Sequence, residues 1–468
     1  MARMKNKPNV ILCVCDQLRR FELGCYGNSL IRTPHLDRLA VEGVRFESAV
    51  TSFPVCMAAR SSMLSGQYAR RCTGGTGNVM YPTWPGDCAM PEYPVAGRLH
   101  LKDPTLPEVL RRAGYYNAAI GKWHIHSWPE DIGFDEYVIP RVHHCHSGQS
   151  FTRNGGAEFV PNGWSVDFEA DELEAFLDRR SVAGEPFFLY YNISPPHCPL
   201  ADAPERYLNM YRPEDIFLRP NVDESKPLAD QEHWFKVYRW DFRYYSHHLP
   251  HTEQLPSGYS LRHLIAEYCG LVTWVDETVG RMLASLRRAG FEEDTIVIFT
   301  SDHGDNLGSH GRVQKGSFNE ESIGVPLLIR QPGVWQPCVI REQVASLVDL
   351  MPTLLEAVGL ELPGHVHGQS LLPLLDGRCT RLERDYCFVE SHGGVAIRTP
   401  AHLYGLGWAQ PGNGLWANRA LAELPHYFFD LRRDPYQLQP LSVACEAAAT
   451  ARELDCRLRE WHASMPAK

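Results

Sequence analysis

The sequence predicts an α/β protein: a large, mostly parallel sheet sandwiched by helices, followed by a smaller C-terminal α+β domain with an antiparallel sheet. Over the first two-thirds of the chain, apolar runs typical of buried strands alternate with amphipathic helical stretches. From about Gly364 the strands become shorter, and Gly- and Pro-rich turns separate them. The 468 residues also exceed what one simple core usually holds. We therefore expect a first domain over residues 1–363 and a second over residues 364–468.

The elements of the first domain follow in order. The apolar run Val10–Val14 is the first strand. Thr33 and Pro34 then predict a helix start, because threonine favours the N-cap and proline the first helical position, and this helix ends at Gly43. The remaining helices are expected over Thr105–Ala113, Trp164–Arg180 and Leu261–Ala289, and the remaining strands over Tyr115–Ile120, Phe187–Ile193, Thr295–Thr300 and Pro326–Arg330. In the second domain we expect strands over Tyr386–Glu390 and Val395–Arg398 and a helix over Glu446–His462.

Composition and charge narrow the class of protein. The 44% apolar and 22% charged content is ordinary for a soluble globular protein, and the net charge of −10 gives no footprint for nucleic acid. No apolar run is long enough to span a membrane or to form a signal-peptide core, so the sequence predicts a cytoplasmic protein without a membrane partner. The 14 cysteines show no Cys-x-x-Cys pair and are expected to be mostly reduced core thiols. The sequence is compatible with a monomer or a homo-oligomer.

Ionisable residues follow four of the predicted strands directly. They are Asp16 after the first strand, Lys122 and His124 after the second, His197 after the third, and Asp302 and His303 after the fourth. The carboxyl ends of parallel strands share one edge of a sheet, and open α/β sheets bind ligands outside that edge. We therefore expect these side chains to surround a common ligand.

Asp16, Asp302 and His303 supply two carboxylates and an imidazole, the donor set of a divalent-metal site. Oxygen-rich ligation suits Ca²⁺ first, with Mg²⁺ and Mn²⁺ as alternatives, and the imidazole favours Mn²⁺ or another transition ion. A metal together with Arg60 would offset the charge of a bound sulfate or phosphate group. The candidate donors and proton sources around that group are Lys122, His124, His197 and Lys315. The alternative for Lys315 is a solvated loop lysine.

The run 54–66 brings a thiol and a guanidinium to a predicted helix start. Cys56 precedes a run of small residues, Arg60 follows four positions on, and the segment closes at Gly66. Free N–H groups and the helix dipole favour an anion at such a position. Taken alone, Cys56 fits a buried structural cysteine better, and the residues elsewhere in the chain reverse this in favour of the functional interpretation.

The pattern Cys-x-Ala-x-Arg followed by Ser-x-Leu-Ser-Gly over residues 56–66 resembles the signature of the sulfatase family, a branch of the alkaline phosphatase superfamily. Further motifs follow in the family's order over nearly the whole chain. They are Pro8–Leu12 with Asp16-Gln17, Gly24–Gly27, Thr33–Ala40, Glu42–Phe46, Gly121–His124, Thr300–Asp305, Lys315-Gly316 and Phe429–Tyr436. Each motif is weak alone, but their order is specific. The resemblance implies an alkaline phosphatase-like fold and a sulfuric ester hydrolase.

The resemblance also implies a role for each matching residue. Cys56 would be the precursor of formylglycine, the nucleophile, whose hydrate also contacts the metal. The metal ligands would be Asp16, Asp302 and His303, with Gln17 as a further ligand. Arg60 would stabilise the nucleophile. Lys122 and His124 would orient the nucleophile, and His124 would also be the base in sulfate release. His197 and Lys315 would contact the transferred group and protonate the leaving oxygen. Asn78 would contact the anion.

Three positions depart from the commonest family pattern. Gln17 replaces a second aspartate and His303 an asparagine, and both changes are shared with the phosphonate monoester and phosphodiester hydrolases. Ala58 replaces the commonest proline, which favours a radical-type formylglycine-maturing enzyme as a partner. The first hypothesis is hydrolysis of an aryl or carbohydrate sulfate, and the alternative is phosphonate monoester or phosphodiester hydrolysis at the same site. A two-metal phosphatase is disfavoured by Cys56, and a degenerate binding protein by the complete set of ionisable residues.

Two further segments are candidates for the mouth of a pocket. His143–His146 could hold a metal, but we favour a pocket-lining or solvated loop. The aromatic and arginine-rich run Trp234–Tyr245 could stack on a substrate ring, but we favour packing of an insertion against the main domain. His247, His248 and His251 are candidates for recognising further anionic groups on a glycan.

Overall fold

The computed structural model describes residues 7–74, 94–95, 97–140, 145–240, 253–407, 424–442 and 448–465. Its strands are β1 (Asn9–Asp16), β2 (Val44–Val50), β3 (Tyr116–Gly121), β4 (Glu136–Pro140), β5 (Phe151–Arg153), β6 (Phe187–Pro196), β7 (Thr295–Ser301), β8 (Gly324–Val325), β9 (Leu327–Arg330), β10 (Cys338–Ser346), β11 (Cys387–Ser391), β12 (Gly394–Arg398), β13 (His402–Leu406) and β14 (His426–Asp430). Its helices are α1 (Pro34–Glu42), α2 (Cys56–Ser65), α3 (Ala69–Cys72), α4 (Leu106–Arg112), α5 (Ser165–Arg180), α6 (Glu205–Leu208), α7 (Gln231–Trp240), α8 (Leu261–Arg288), α9 (Glu320–Ile323), α10 (Leu350–Ala357), α11 (Leu372–Leu375) and α12 (Ala448–Ser464).

The large sheet has the strand order β10-β2-β9-β7-β1-β6-β3-β4-β5, with β8 paired to β2. Its central run, β7-β1-β6-β3-β4, is parallel throughout. Antiparallel pairs occur outside that run, where β9 pairs with β7 and β2, and β5 pairs with β4. The predicted large, mostly parallel sheet is therefore confirmed, and the carboxyl ends of β1, β3, β6 and β7 meet at one edge.

Alternate side chains of the central strands enter two separate cores, one on each face of the sheet. In β1, Val10, Leu12 and Val14 pack with α2, α4 and α10, whereas the intervening residues pack with α1, α5 and α8. Both faces are covered, so these strands are apolar at nearly every position. Each fully buried aliphatic side chain stabilises the fold by about 1.5–3 kcal/mol. The sheet is consequently a rigid support for the polar residues at its edge.

The second sheet is antiparallel, with the order β11-β12-β13-β14, which confirms the predicted smaller C-terminal sheet. One of its faces packs against α12 through Leu458 and Trp461. The other face packs against the end of the large sheet, at Val50 and Val344. The two sheets therefore form one continuous body near the start of α2.

Most predicted elements lie within a few residues of their observed bounds. The strand predicted over Phe187–Ile193 continues to Pro196, so His197 lies directly after the end of the strand. The strands β2, β4, β5, β8 and β10 of the large sheet, and β13 and β14 of the small sheet, were not predicted individually. In β2 exposed and partly exposed positions interrupt the apolar pattern, because this strand lies away from the covered centre of the sheet.

Thr33 occupies the N-cap position of α1, as the sequence predicts. The helix begins at the next residue, but the Thr33 side chain makes no capping bond, and its hydroxyl donates to Asp37 Oδ1 (3.1 Å). Asp276 on α8 accepts the backbone N–H groups of His35 (3.2 Å) and Leu36 (2.8 Å) instead. A side chain from a neighbouring helix thus satisfies the helix start, which no local pattern could indicate.

In the described part of the chain, no helix combines the length and apolar character needed to cross a membrane. The twelve cysteines that lie there are all free thiols, and seven of them are buried. This agrees with the expectation that most cysteines are reduced core residues.

Candidate active site

Four strand ends bring the predicted polar residues to one edge of the large sheet. These residues are Asp16 at the end of β1, Lys122 after β3, His197 after β6 and Asp302 after β7. All four side chains are buried. At β3 the approach requires Gly121, because its φ is +86° and a Cβ there would lie 2.0 Å from the Asn192 carbonyl oxygen.

Cys56 is the first residue of α2, as the sequence predicts. Every residue of this helix is buried, and it ends at Gly66, whose φ of +64° suits glycine and whose N–H donates to the Ser62 carbonyl (2.9 Å). Met63 and Leu64 anchor the helix in the core on one face of the sheet. The thiol is therefore presented from a rigid element at the edge where the strands end.

Arg60 lies one turn further along α2 and joins the two carboxylates. Its Nη2 donates to Asp16 Oδ2 (3.0 Å) and its Nε to Asp302 Oδ2 (2.9 Å), and all three side chains are fully buried. Its Nη1 donates to Asn192 Oδ1 (2.6 Å). Lys122 Nζ also contacts Asp16 Oδ2 (2.6 Å). In each carboxylate, Oδ2 thus accepts hydrogen bonds from cationic side chains, and Oδ1 faces the thiol and the imidazole.

His303 completes a compact group of potential metal ligands. Its Nδ1–H donates to the Gly304 carbonyl (2.9 Å), so Nε2 faces inward, 3.6 Å from Asp302 Oδ1 and 3.8 Å from Asp16 Oδ1. Among the described residues, Asp16, Cys56, Asp302 and His303 form the one group of three or more such side chains whose ligand atoms lie within 4.8 Å of one another. Carboxylate oxygens held by cations and an imidazole held by a carbonyl fit a divalent metal.

The thiol of Cys56 is surrounded by polar groups. His303 Nε2 lies 3.1 Å from Sγ, Lys315 Nζ 3.3 Å and Asp16 Oδ1 3.7 Å. Burial and the Asp16 charge raise the pKa of this thiol, but Lys315, Lys122 and His303 lower it by more, so its pKa lies well below the usual value. An anion is therefore stabilised at the Cys56 position.

The two carboxylates have different proton affinities. The pKa of Asp16 lies well below its usual value despite burial, because Lys122, His197, Lys315 and Arg60 surround it. Burial and the neighbouring Asp16 charge raise the pKa of Asp302 to about 6. A divalent cation beside both oxygens would favour the ionised form of each.

His197 and His124, two further histidines of the site, are neutral. His197 Nδ1–H donates to the Cys198 carbonyl (2.6 Å), and burial, followed by Lys315 and Lys122, holds its pKa well below the usual value. Burial also lowers the pKa of His124, although the neighbouring Cys56 opposes this shift. Both rings therefore have an unprotonated nitrogen available to accept a proton or a hydrogen bond.

Lys315 is partly exposed and lies on the loop that follows β7. Its Nζ donates to Gln17 Oε1 (2.8 Å). The residue before it, Gln314, has a φ of +59°, a left-handed conformation that costs a non-glycine residue about 1–2 kcal/mol. Asn306 holds this backbone by donating its N–H (2.8 Å) and its Nδ2 (2.7 Å) to the Gln314 carbonyl. A strained turn thus presents Lys315 to the thiol.

Three site residues were not predicted from the sequence. Asn192 accepts from Arg60 and lies at the carboxyl end of β6, so the rule that found its neighbours could have found it. Asp305 accepts from Gln17 Nε2 and follows Asp302 on the same loop, where the motif signalled it without a role. Tyr238 donates to Asp305 Oδ1 (2.6 Å) from α7, and nothing in its local sequence indicates this contact.

Some of the predicted site residues lie outside the described residues, and others lie away from the group around Cys56. Asn78, His143, His144, His247, His248 and His251 lie outside the described residues. His146 is fully buried rather than solvated, and its Nδ1 donates to the Asp202 carbonyl (2.8 Å). The described part of the aromatic run forms α7, and its Phe235 and Tyr238 pack in the core, which confirms the packing interpretation for that part.

A family model for sulfatases matches residues 8–360, well over half of the chain. The chain belongs to the sulfatase family. It is a sulfuric ester hydrolase, as its motifs predict. A second family model, described as the C-terminal region of N-sulphoglucosamine sulphohydrolase, matches residues 308–464 of this sulfatase.

Known relatives resemble this sulfatase over nearly its whole length. An ulvan-active sulfatase of Formosa agariphila is 28% identical over 475 residues, covering 97% of this chain and 81% of that protein. A solved structure in complex with its substrate D-glucosamine-2-N,6-O-disulfate has a TM-score of 0.76 and 25% identity, covering 98% of both chains. The phosphonate monoester hydrolase of Agrobacterium radiobacter has a TM-score of 0.71 and 22% identity, covering 98% of this chain and 96% of that one. The last likeness shows the fold alone.

Proposed function

We propose that this sulfatase hydrolyses a sulfate monoester of a sugar or an aryl alcohol, giving the alcohol and inorganic sulfate, at a site centred on Cys56. The observation that carries the proposal is the buried group of Asp16, Cys56, Asp302 and His303, with ligand atoms within 4.8 Å of one another. The ammonium group of Lys315 lies on the outer side of the same thiol, at 3.3 Å. Metal ligands, a nucleophile position and an anion-binding cation thus meet at one point.

We assign a divalent metal to Asp16, Asp302, His303 and residue 56, with Gln17 as a further ligand. Ca²⁺ is the first candidate because oxygen donors predominate, with Mn²⁺ and Mg²⁺ as alternatives. When bound, the metal neutralises charge on the sulfate oxygens and polarises the sulfur centre. Formylglycine, made from Cys56 by a maturing enzyme, supplies a nucleophilic oxygen in place of the thiol.

Arg60 and Lys122 hold the metal ligands in place before substrate arrives. Arg60 bridges Asp16 Oδ2 and Asp302 Oδ2, and Lys122 adds a second cation on Asp16. Oriented carboxylates and fixed charges require no rearrangement during the reaction, which is the usual source of electrostatic stabilisation in enzymes. Mobility of these side chains would consequently weaken both metal affinity and turnover.

The leaving oxygen needs a proton, and the contacts favour Lys315 over His197 as its source. His197 already gives its Nδ1–H to the Cys198 carbonyl, and its lowered pKa keeps Nε2 unprotonated. Burial lowers the pKa of Lys315, but Cys56, Asp16 and Asp302 raise it by more, so this ammonium group retains its proton. The neutral His124, which lies close enough to Cys56 to be influenced by its charge, suits the base that receives a proton when sulfate is released.

The relatives favour a carbohydrate sulfate within the proposed substrate class. The Formosa agariphila relative is named for ulvan, and the solved neighbour holds a disulfated glucosamine. A sugar oxygen is a poor leaving group, so a protein acid such as Lys315 contributes more to its release than to that of an activated phenol.

The second candidate function is hydrolysis of a phosphonate monoester or a phosphodiester at the same site. Gln17 and His303, which depart from the commonest sulfatase pattern, support it. These substrates carry a single negative charge, as a sulfate monoester does, so the charge of the site accommodates either. We also propose that residues 1–363 form the catalytic domain and residues 364–468 the C-terminal domain, since β11–β14 and α12 all lie after residue 363.

Peptide mass spectrometry paired with a substrate panel tests the proposal. The peptide containing Cys56 should lose about 18 Da when the protein is co-expressed with a maturing enzyme. That preparation should hydrolyse 4-nitrophenyl sulfate faster than a phenylphosphonate ester or a phosphodiester. Faster turnover of the phosphorus esters would favour the second candidate. A modified protein that is inactive on all three esters and on sulfated sugars would contradict both.

A further inference from the structure

The hydroxyl of Tyr238 is part of a ring of hydrogen bonds that includes Lys315. Tyr238 is fully buried, and its helix α7 packs in the core on the α8 side of the large sheet. Its hydroxyl donates to Asp305 Oδ1 (2.6 Å) and accepts the backbone N–H of Gln314 (2.7 Å). One oxygen atom therefore joins α7 to the loop that carries Lys315.

Two paths lead from this hydroxyl to the ammonium group. The first runs through the backbone, because Gln314 immediately precedes Lys315. The second runs through side chains: Asp305 Oδ2 accepts from Gln17 Nε2, and Gln17 Oε1 accepts from Lys315 Nζ (2.8 Å). Because Asp305 engages the amide nitrogen, it fixes which end of the Gln17 amide faces Lys315.

The backbone path has to hold a strained residue. Gln314 is left-handed at φ +59°, and its N–H is bonded by Tyr238 while its carbonyl is bonded by Asn306. Strained residues persist where the surroundings hold them on several sides, and they are frequent at functional sites. Loss of the Tyr238 hydroxyl removes one side of that support.

We infer that Tyr238 is a positioning residue for Lys315, acting through Gln314 and through the pair of Asp305 and Gln17. The inference rests on the proposed function, in which Lys315 is the acid. As the bond between sulfur and the leaving oxygen breaks, its electron pair stays on that oxygen, which takes a proton from the ammonium group. A displaced Lys315 therefore penalises esters of poor leaving groups most, because 4-nitrophenolate is stable without a proton.

The test compares Tyr238→Phe with the wild type on a series of aryl sulfates, from 4-nitrophenyl to phenyl and 4-methoxyphenyl sulfate. We expect kcat/KM to fall about tenfold or more for 4-methoxyphenyl sulfate but less than about threefold for 4-nitrophenyl sulfate. The dependence on the leaving-group pKa should become steeper. An equal loss on every ester, with the slope unchanged, would overturn the inference.

Tyr211→Phe is the matched control. Tyr211 is also buried, and its hydroxyl accepts from the Arg32 N–H (2.8 Å) and pairs with Thr273 Oγ1 (2.7 Å), with no bond to the Lys315 loop. It should show a similar fall in thermal unfolding midpoint and no change in slope, and a slope change as large as that of Tyr238→Phe would overturn the inference.

Asp305→Asn provides a second variant that interrupts only the side-chain path. It should steepen the same dependence, and an unchanged slope in both Asp305→Asn and Tyr238→Phe would exclude the ring as the positioning device. If the modified wild type hydrolyses none of the sulfates, the proposed function fails and the inference fails with it. A working wild type with unchanged slopes in the variants removes only the role of Tyr238.

Discussion

The strand-end half of the site and the loop half are held in different ways. The strand-end half comprises Asp16, Arg60, Lys122, Asp302 and His303, which lie at strand ends or on α2 and are fully or almost fully buried. The loop half comprises residues 304–318, where Gln314 is left-handed and Lys315 is partly exposed. Regular structure and ion pairs hold the first half, whereas hydrogen bonds against backbone strain hold the second.

This difference separates two kinds of requirement. A metal site needs ligands fixed to within a fraction of an ångström, which strand ends and a bridging arginine provide. A proton donor that meets a substrate has to be reached from outside, so it lies on a loop. We therefore expect substitutions in the strand-end half to lower stability and metal affinity together. Substitutions in the loop half should alter turnover with less effect on folding.

The largest expected effect is at the point where the halves meet. Cys56→Ala removes the proposed nucleophile precursor and should lower kcat/KM for 4-nitrophenyl sulfate by at least about 10³-fold. Its ion-pair neighbours remain in place, so the thermal unfolding midpoint should change little. Residual turnover above one-tenth of the wild-type value would contradict the assignment of Cys56.

The same substitution at two lysines sharpens the comparison. Lys122→Met leaves Asp16 with one buried cation fewer and should lower the free energy of unfolding by about 3 kcal/mol. Lys315→Met should change it by less than about 1 kcal/mol, yet lower turnover of phenyl sulfate by about 10²-fold. Urea unfolding and steady-state kinetics on both variants provide the check. Equal stability losses at the two positions would erase the distinction between the halves.

Glu320 anchors the far end of the loop half to the C-terminal sheet. It accepts from Arg398 Nε (2.7 Å) and Arg20 Nη2 (2.8 Å), and although burial opposes ionisation these two arginines lower its pKa to about 2. A lowered folded-state pKa stabilises the protein above the unfolded value of 4.5, and this contribution is lost as the pH falls through about 2.

Glu320→Gln should therefore lower the free energy of unfolding by about 3 kcal/mol at pH 7. Its difference from the wild type should shrink as the pH is lowered from 4.5 toward 2. Denaturant unfolding across that range measures both quantities. Glu342→Gln, at an exposed position on β10, is the control and should show neither effect. A difference that stays constant with pH would argue against the Glu320 ion pairs as its cause.

The smallest expected effect concerns Arg60, whose planar fork bridges two carboxylates. Arg60→Lys keeps the charge but loses the bridge, so the affinity for Ca²⁺ or Mn²⁺ should fall about tenfold, as measured by titration calorimetry. Arg70→Lys is the matched control, because Arg70 is equally buried and pairs with Glu390 (2.6 Å) on β11, away from the ligands. Metal affinity that is unchanged in Arg60→Lys, or equally reduced in Arg70→Lys, would contradict the bridging role.

The strand-end half could be predicted from the sequence, and much of the loop half could not. Asp16, Lys122, Asp302 and His303 closely follow apolar runs, and parallel strands place such residues together. The partners of Lys315 depend on contacts between distant segments. Gln17 lies 298 positions before Lys315 and Tyr238 lies 76 positions before Gln314, and no periodicity encodes those pairings.

A local rule placed the start of α1 correctly but not the side chain that satisfies it. Thr33 has the residue type of an N-cap, yet Asp276 of α8 satisfies the start of α1 because the two helices pack together. The left-handed conformation of Gln314 was equally unpredictable, since glutamine has no preference for it and neighbouring groups impose it. Helices and strands could thus be predicted from local sequence patterns. The side chain that satisfies a helix start and the conformation of a strained turn depend on the folded protein.

The most direct test of the central claim is sulfate release measured against the modified fraction of Cys56. Preparations made with different amounts of maturing enzyme would be quantified by peptide mass spectrometry and assayed for inorganic sulfate released from 4-nitrophenyl sulfate. The account predicts a straight line through the origin, because each modified Cys56 makes one working site. Equal sulfate release at zero modification, or none at full modification, would contradict it.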